Sequence, residues 1–297
     1  MSLLHFVSSI WQDPPPAYAF ELSEAGIAMA RTGRNPEFDF RPLQPGVISV
    51  SPLRDNIQDP DRFTQAVRSL IPPNGTRKRR DAALILPDAC ARVSVLDFDD
   101  FPSDSNEQLS LVRFRLKKSV PYDVESAALS YHAQVSSDHG KKFDVVVAVA
   151  PVEIVSRYEA PFRSASVEPG FVTTSALASL ELVNERGTIV VAKLSGRILT
   201  ILVLKNGVLK LVRSLELAGA ETSEMAADLY PTLVYIEDNL GAKAEKLLLA
   251  GFGRFAAEAR SRFAAELALP VENVPSPAGV AGENNLGLLG YLQSVAH

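Results

Sequence analysis

Two stretches decide how this chain folds: Phe20-Glu21-Leu22-Ser23-Glu24-Ala25-Gly26-Ile27-Ala28-Met29-Ala30 and Ala192-Lys193-Leu194-Ser195-Gly196-Arg197-Ile198-Leu199-Thr200-Ile201-Leu202-Val203. Each reads as an apolar strand, a tight polar turn and a second apolar strand, the signature of a β-hairpin. A hairpin that recurs at the start of each half of a chain points to two related domains. Where such a turn binds phosphate, an acidic residue holds the metal and glycines let backbone amides approach the oxygens. In both copies here those chemical positions look wrong.

Outward from the hairpins, the chain alternates strands and helices. Val47–Val50 reads as a strand, and Asp59-Pro60 opens a helix to about Leu70 with proline at its first turn. Ala82–Leu86 is a buried strand. Arg92–Phe98 alternates as another, and Asp104-Ser105-Asn106-Glu107 begins a helix through Lys118 in the manner of a capping box. Its apolar stripe is Leu109, Leu111, Val112, Phe114 and Leu116, and Arg113, Arg115, Lys117 and Lys118 sit near the negative end of its dipole. Strands at Leu129–Val135 and Phe143–Ala150 and a helix at Val152–Ser164 complete a β-α-β-β-α unit. Thr173-Thr174-Ser175 then caps a helix through Val183. Three strands fill Thr188–Leu217, with an Asn206-Gly207 hairpin. A helix over Ser223–Leu240 is expected to kink or split at Pro231. A strand at Lys246–Ala250 runs into Gly251-Phe252-Gly253 and a further helix, and the tail from Asn284 reads as helical.

Composition narrows function by exclusion. The 297 residues suffice for about two domains. A net charge of −5 gives no general reason for nucleic-acid binding, and the one basic run, Arg77–Arg80, reads as a solvated loop. No stretch approaches the roughly 20 apolar residues that a bilayer span needs. Met1–Trp11 is weakly amphipathic, with Leu3, Val7, Ile10 and Trp11 at helical spacing, but has no Lys or Arg for lipid headgroups, so docking on the protein's own surface is expected. Cys90 is the only cysteine, which excludes an intrachain disulfide. His5, His132, His139 and His297 lack metal-ligand spacing, and the Asp97, Asp99, Asp100 cluster reads as a solvated strand end. No catalytic set or metal site is expected.

The middle block carries a family resemblance. Asp100-Phe101-Pro102, Glu107, Val120-Pro121-Tyr122 and Leu129-Ser130-Tyr131, followed by Val145–Pro151 and Phe171–Leu177, resemble the PilM family of type IV pilus assembly proteins. The resemblance implies an α/β, actin-like two-domain fold of mixed five-stranded sheets with a small inserted subdomain and a reduced second domain. On that pattern the first domain spans 1–187 with the insert at about 92–168, the second 188–280, and 281–297 is a helix returning to the first domain. By the same resemblance Glu21 stands at the acidic position of the first phosphate loop and Ser23 at its glycine, while Lys193 and Ser195 occupy those positions in the second, so that a Cβ hinders close backbone approach and a cation stands where a metal-holding carboxylate belongs. It also makes Gly251 and Gly253 the counterpart of a glycine-rich adenosine loop, which two glycines between a strand and a helix also explain without a ligand. The implied function is a non-catalytic cytoplasmic platform, peripheral to the inner membrane, that binds the cytoplasmic tail of a PilN-like membrane protein and links it to a pilus motor ATPase. Phe101, Arg113, Arg115, Lys117, Tyr122 and Tyr131 are its partner-groove candidates. The alternatives are an ATP- and Mg²⁺-binding protein of weak ATPase activity, and the cytoplasmic domain of a type II secretion platform.

Overall fold

The computed structural model describes residues 16–33, 35–72, 80–135, 142–219, 222–277 and 279–296. Met1–Trp11, Arg77–Arg79, His139 and His297 lie outside them. The chain divides into two compact units, one built from Met1–Ala91, Ala150–Val183 and Pro275–His297, the other from Arg92–Val149 and Asn184–Val274.

In the first unit a five-stranded sheet runs in the order β3-β2-β1-β4-β8. Its strands are β1 (Tyr18–Leu22), β2 (Gly26–Arg31), β3 (Glu37–Pro42), β4 (Arg80–Leu86) and β8 (Val167–Thr174). β1 pairs antiparallel with β2 and parallel with β4, so the sheet is mixed. One face is covered by α1 (Pro60–Leu70) and α3 (Val152–Ser164). Phe63, Val67, Ile154, Tyr158 and Phe162 pack there against Tyr18, Phe20 and Leu84. α1 starts where proline and a cap predict it: Asp59 accepts from the Arg62 N–H at 3.0 Å. The other face is lined by small residues, Ala19, Ala28, Ala30 and Ala83, which let α7 (Leu286–Val295) lie close through Leu288, Tyr291 and Leu292. A Cβ on Gly290 would collide with the Ala178 carbonyl of α4 (Ser175–Ser179).

The second unit contains a second five-stranded sheet, β11-β10-β9-β12-β13. It is formed by β9 (Thr188–Ser195), β10 (Ile198–Lys205), β11 (Val208–Glu216), β12 (Lys246–Ala250) and β13 (Val271–Asn273), with α5 (Thr222–Leu240) and α6 (Ala256–Leu267). Asn206 and Gly207, at φ of 53° and 81°, make the tight β10–β11 turn. The same unit holds a three-stranded sheet, β5-β7-β6, of β5 (Arg92–Phe98), β6 (Ala127–Val135) and β7 (Phe143–Pro151) with α2 (Ser105–Leu116).

Three expectations are corrected. The inserted unit ends at about residue 149 rather than 168: α3 packs into the first core, and β8 pairs with β4, with Pro169 opposite Ala82 and only Gly170 skipped at a register shift. Val47–Val50 is not a strand but makes one bridge, Ile48 to Ile57, and the edge strand lies earlier, at Glu37–Pro42. α5 is not split at Pro231 but stays helical across it. Ala227, whose carbonyl loses its partner there, is exposed, so water can satisfy it.

Candidate functional site

The first hairpin places Glu21 on a central strand, 4% exposed. Its Oε2 accepts the Leu288 N–H at 2.8 Å, in the first turn of α7, and its Oε1 accepts the Ser175 hydroxyl. The carboxylate therefore caps one helix and ties it to the start of another. The Ser23 amide donates to the Gly26 carbonyl at 2.9 Å, and its hydroxyl makes the same bond at 3.0 Å. Both Ser23 donors are thus spent inside the turn. Asp88 is buried too and accepts the Ala176 N–H at 2.6 Å.

In the second hairpin Lys193 is 3% exposed and faces Thr200 on β10 and Ala250 on β12. Glu21 faces Ala28 on β2 and Ile85 on β4, so the two residues hold equivalent places in their sheets. Ser195 ends β9, and the Arg197 guanidinium closes the turn on the Leu217 carbonyl at 3.0 and 3.2 Å. Gly251 and Gly253 have φ of 72° and 48°, which an ordinary side chain resists, and Phe252 between them is buried edge-on against Phe263 at 5.9 Å. The backbone turn and the core thus account for the whole Gly-Phe-Gly run. No group of three or more His, Cys, Asp or Glu suited to a metal occurs among the described residues.

The small sheet presents a different kind of site. Asp104 caps α2, accepting from Asn106 and Glu107 N–H at 2.9 and 3.0 Å. Val112 and Leu116 bury that helix against Phe98, Val145 and Val147. Phe114 points the other way and is 74% exposed. With Arg113, Lys117, Pro121, Tyr122 and Glu125 it lines a surface pocket of about 540 Å³. Arg113 meets Glu125 at 3.0 Å, while its Nε is buried without a hydrogen bond. Tyr122 is fixed by donating to the Val149 carbonyl at 3.1 Å.

Of the six expected groove residues, Arg113, Lys117 and Tyr122 come together here. Arg115 lies instead over the Phe98 ring at 5.1 Å and reaches Asp97 at 3.4 Å, since a helix turns successive residues to different faces. Phe101 is core, between Phe98, Tyr131 and Phe143, and Tyr131 donates to Gln108 Oε1 at 3.0 Å. Phe114 is the addition: the sequence reading set it in the apolar stripe. Its position two residues from both Val112 and Leu116, across the helix, is the signal that separates it from them.

Two mixed sheets of the same strand order, each begun by a hairpin and backed by helices, define an actin-like α/β fold. No protein-family profile and no curated protein matches the sequence. Among solved structures the chain is similar to one titled a PilM–PilN type IV pilus biogenesis complex, with TM-score 0.78 and 18% identity over 95% of this chain and 99% of that one. It is also similar to a protein from Bacteroides thetaiotaomicron with an actin-like ATPase fold and unknown function, with TM-score 0.54 and 13% identity over 93% and 94% of the two chains. No helix among the described residues is long and apolar enough to cross a membrane.

Proposed function

We propose that this chain is a non-catalytic, PilM-like platform at the cytoplasmic face of the inner membrane that binds the N-terminal tail of a PilN-like membrane protein. The observation that carries the reading is the pocket on the small sheet. An exposed aromatic ring, two cations and a fixed tyrosine surround a cavity large enough for a side-chain anchor of an extended peptide. The likeness to a PilM–PilN complex over nearly the whole chain supports the same partner class. Against nucleotide chemistry stand Glu21, committed to α7 and Ser175, and the cation Lys193 at the equivalent place in the second sheet.

The test is calorimetric titration of the full chain with the cytoplasmic N-terminal peptide of the PilN-like protein encoded in the same organism. Phe114→Ser and Lys117→Glu are each expected to weaken binding about tenfold, the loss of one anchor at such a contact. Arg115→Glu, on the other side of α2, is expected to leave it unchanged. Equal binding by all folded variants would move the interface off the small sheet. A parallel titration with Mg-ATP is expected to give no saturable heat, and micromolar affinity would restore the nucleotide-binding alternative.

A further inference from the structure

At the edge of the first sheet, pairing with a further strand is blocked. The Leu43 N–H bonds back to Ala25 at 2.9 Å, so odd-numbered amides of this segment face β2 and even-numbered ones face outward. The outward Phe40 N–H is held by Asp39 Oδ1 at 2.7 Å, and Pro42 has no N–H to offer. The second unit leaves an open surface of another kind, on α5.

That helix is apolar on two opposite faces. Met225, Ala226, Leu229 and Ile236 are buried in the core of the second sheet. The opposite face carries Ala227, Tyr230, Pro231 and Val234, all exposed, Tyr230 by 62% and Val234 by 41%. Their spacing of i, i+3, i+4 and i+7 aligns them in one stripe of about two turns, roughly 11 Å long. A helix presents such a stripe to another helix, and one that is apolar on both sides lacks half of its cover. The Ala227 carbonyl opens on the same stripe without its i+4 donor, because Pro231 has no N–H.

Charge says what covers it. Glu224 and Asp228 bracket the stripe toward its N-terminal end, Glu237 and Asp238 toward its C-terminal end, and α5 contains no lysine or arginine. Repulsion therefore disfavours an anionic lipid surface. It also disfavours a second copy seated by the same stripe, which sets these carboxylates against their own counterparts. We propose that the Ala227, Tyr230, Pro231 and Val234 stripe of α5 docks a basic amphipathic helix of a partner protein. The partner's apolar seam packs on Tyr230 and Val234, and its lysines or arginines, spaced up to about 21 Å apart, meet Glu224 and Asp228 at one end and Glu237 and Asp238 at the other. A seam of two turns makes the contact a transient one. The surface shares no residue with the pocket beside Phe114 and does not depend on the function proposed for it.

The probes are three designed helical peptides of about 18 residues, titrated into the full chain by fluorescence anisotropy. One has a leucine seam with lysine flanks, one the same seam with glutamate flanks, and one lysine flanks with serine in the seam. The first is expected to bind at least about tenfold more tightly than the other two. Tyr230→Ser/Val234→Ser is expected to weaken it about tenfold. Glu237→Lys/Asp238→Lys is expected to exchange the preference, taking the glutamate-flanked peptide in place of the lysine-flanked one. The substituted positions are exposed, so the variants are expected to fold, which an unchanged urea midpoint checks. In cells of the source organism, a photo-reactive benzoylphenylalanine at position 230 is expected to cross-link a segment with apolar residues at helical spacing and lysine or arginine on its flanks. Equal binding of the three peptides, or binding unchanged in the folded variants, overturns the proposal, as does an acidic captured segment or none. Cross-links between two copies, with self-association that Tyr230→Ser abolishes, assign the stripe to a second copy. Binding to phosphatidylethanolamine–phosphatidylglycerol vesicles that the double serine variant loses assigns it to the membrane. Each of these last two results also overturns docking of a basic helix.

Discussion

The molecule contains one sheet design twice, and the two copies solve the same problems differently. Both run edge, hairpin, hairpin, parallel, parallel in strand order, and Glu21 and Lys193 sit at matching places in them. In the first sheet that place became a structural carboxylate that holds α7. The edges differ more. β11 of the second sheet is covered by the small three-stranded sheet: Gln134 on β6 donates to the Leu209 carbonyl at 3.0 Å and accepts its N–H at 2.9 Å. Beside it Lys210 and Asp144 form a partly buried ion pair at 2.6 Å. β3 of the first sheet has no such cover among the described residues and is exposed along its whole length. An edge strand is a hazard that a protein must block or cover. Here one copy covers its edge with an inserted domain and the other blocks it with Asp39 and Pro42. Duplication preserved the sheet, while what borders it was free to change.

The largest expected effect tests the reuse of Glu21. Glu21→Ala leaves the Leu288 N–H and the Ser175 hydroxyl buried without this acceptor, at a cost of about 3 kcal/mol. Glu21→Gln keeps an oxygen for one of them and is expected to cost about 1 kcal/mol. Urea unfolding midpoints measure both. Destabilisation of both variants by the same small amount would mean that the carboxylate does not hold α7, and would weaken the contrast with Lys193.

The second effect tests the covered edge. Gln134→Leu strips the Leu209 N–H and C=O of their side-chain partner, at about 2 kcal/mol. Hydrogen exchange is expected to show the loss as faster exchange of the Leu209 amide, with the first sheet unaffected. An unchanged Leu209 amide would mean that the small sheet covers β11 without holding it.

How much of this was legible follows from which signals are local. Both hairpins stood out because turn chemistry and alternation lie within a dozen residues, and Asp59-Pro60 and Asp104 announce their helices by capping. β3 was missed because Glu-Phe-Asp-Phe-Arg-Pro alternates aromatic with charge as an exposed edge does, and the apolar Val47–Val50 nearby read more strongly. β8 was missed because Pro169-Gly170 signals a turn, and only pairing with β4 makes it a strand. Placing α3 in the small unit had the same origin: chain order suggested it, and only long-range packing assigns it to the first core. At the site, Arg113 and Lys117 share a helix face by spacing, which sequence reveals. That Phe101 is core depends on the sheet beneath α2, which it does not, whereas the offset of Phe114 from Val112 and Leu116 was there to be read.

The smallest expected effect concerns the blocked edge. Asp39→Ala removes an exposed side chain from an exposed strand, so stability should change by only a few tenths of a kcal/mol. What changes is availability. The outward Phe40 N–H, now free, joins the Phe38 N–H to offer two donors flanking a phenylalanine-rich face, the pattern that invites strand addition. In antiparallel pairing of two β3 strands centred on residue 39, Glu37 of one copy meets Arg41 of the other, and the substitution also removes the repulsion of Asp39 against itself. Asp39→Ala is therefore expected to self-associate at concentrations where wild type is monodisperse in sedimentation velocity. Asp39→Asn, whose amide oxygen still reaches the Phe40 N–H, is expected to remain like wild type. If Asp39→Ala and Asp39→Asn associate equally, lost negative charge is the cause and the amide block is not. If neither does, Pro42 is enough to close the edge by itself.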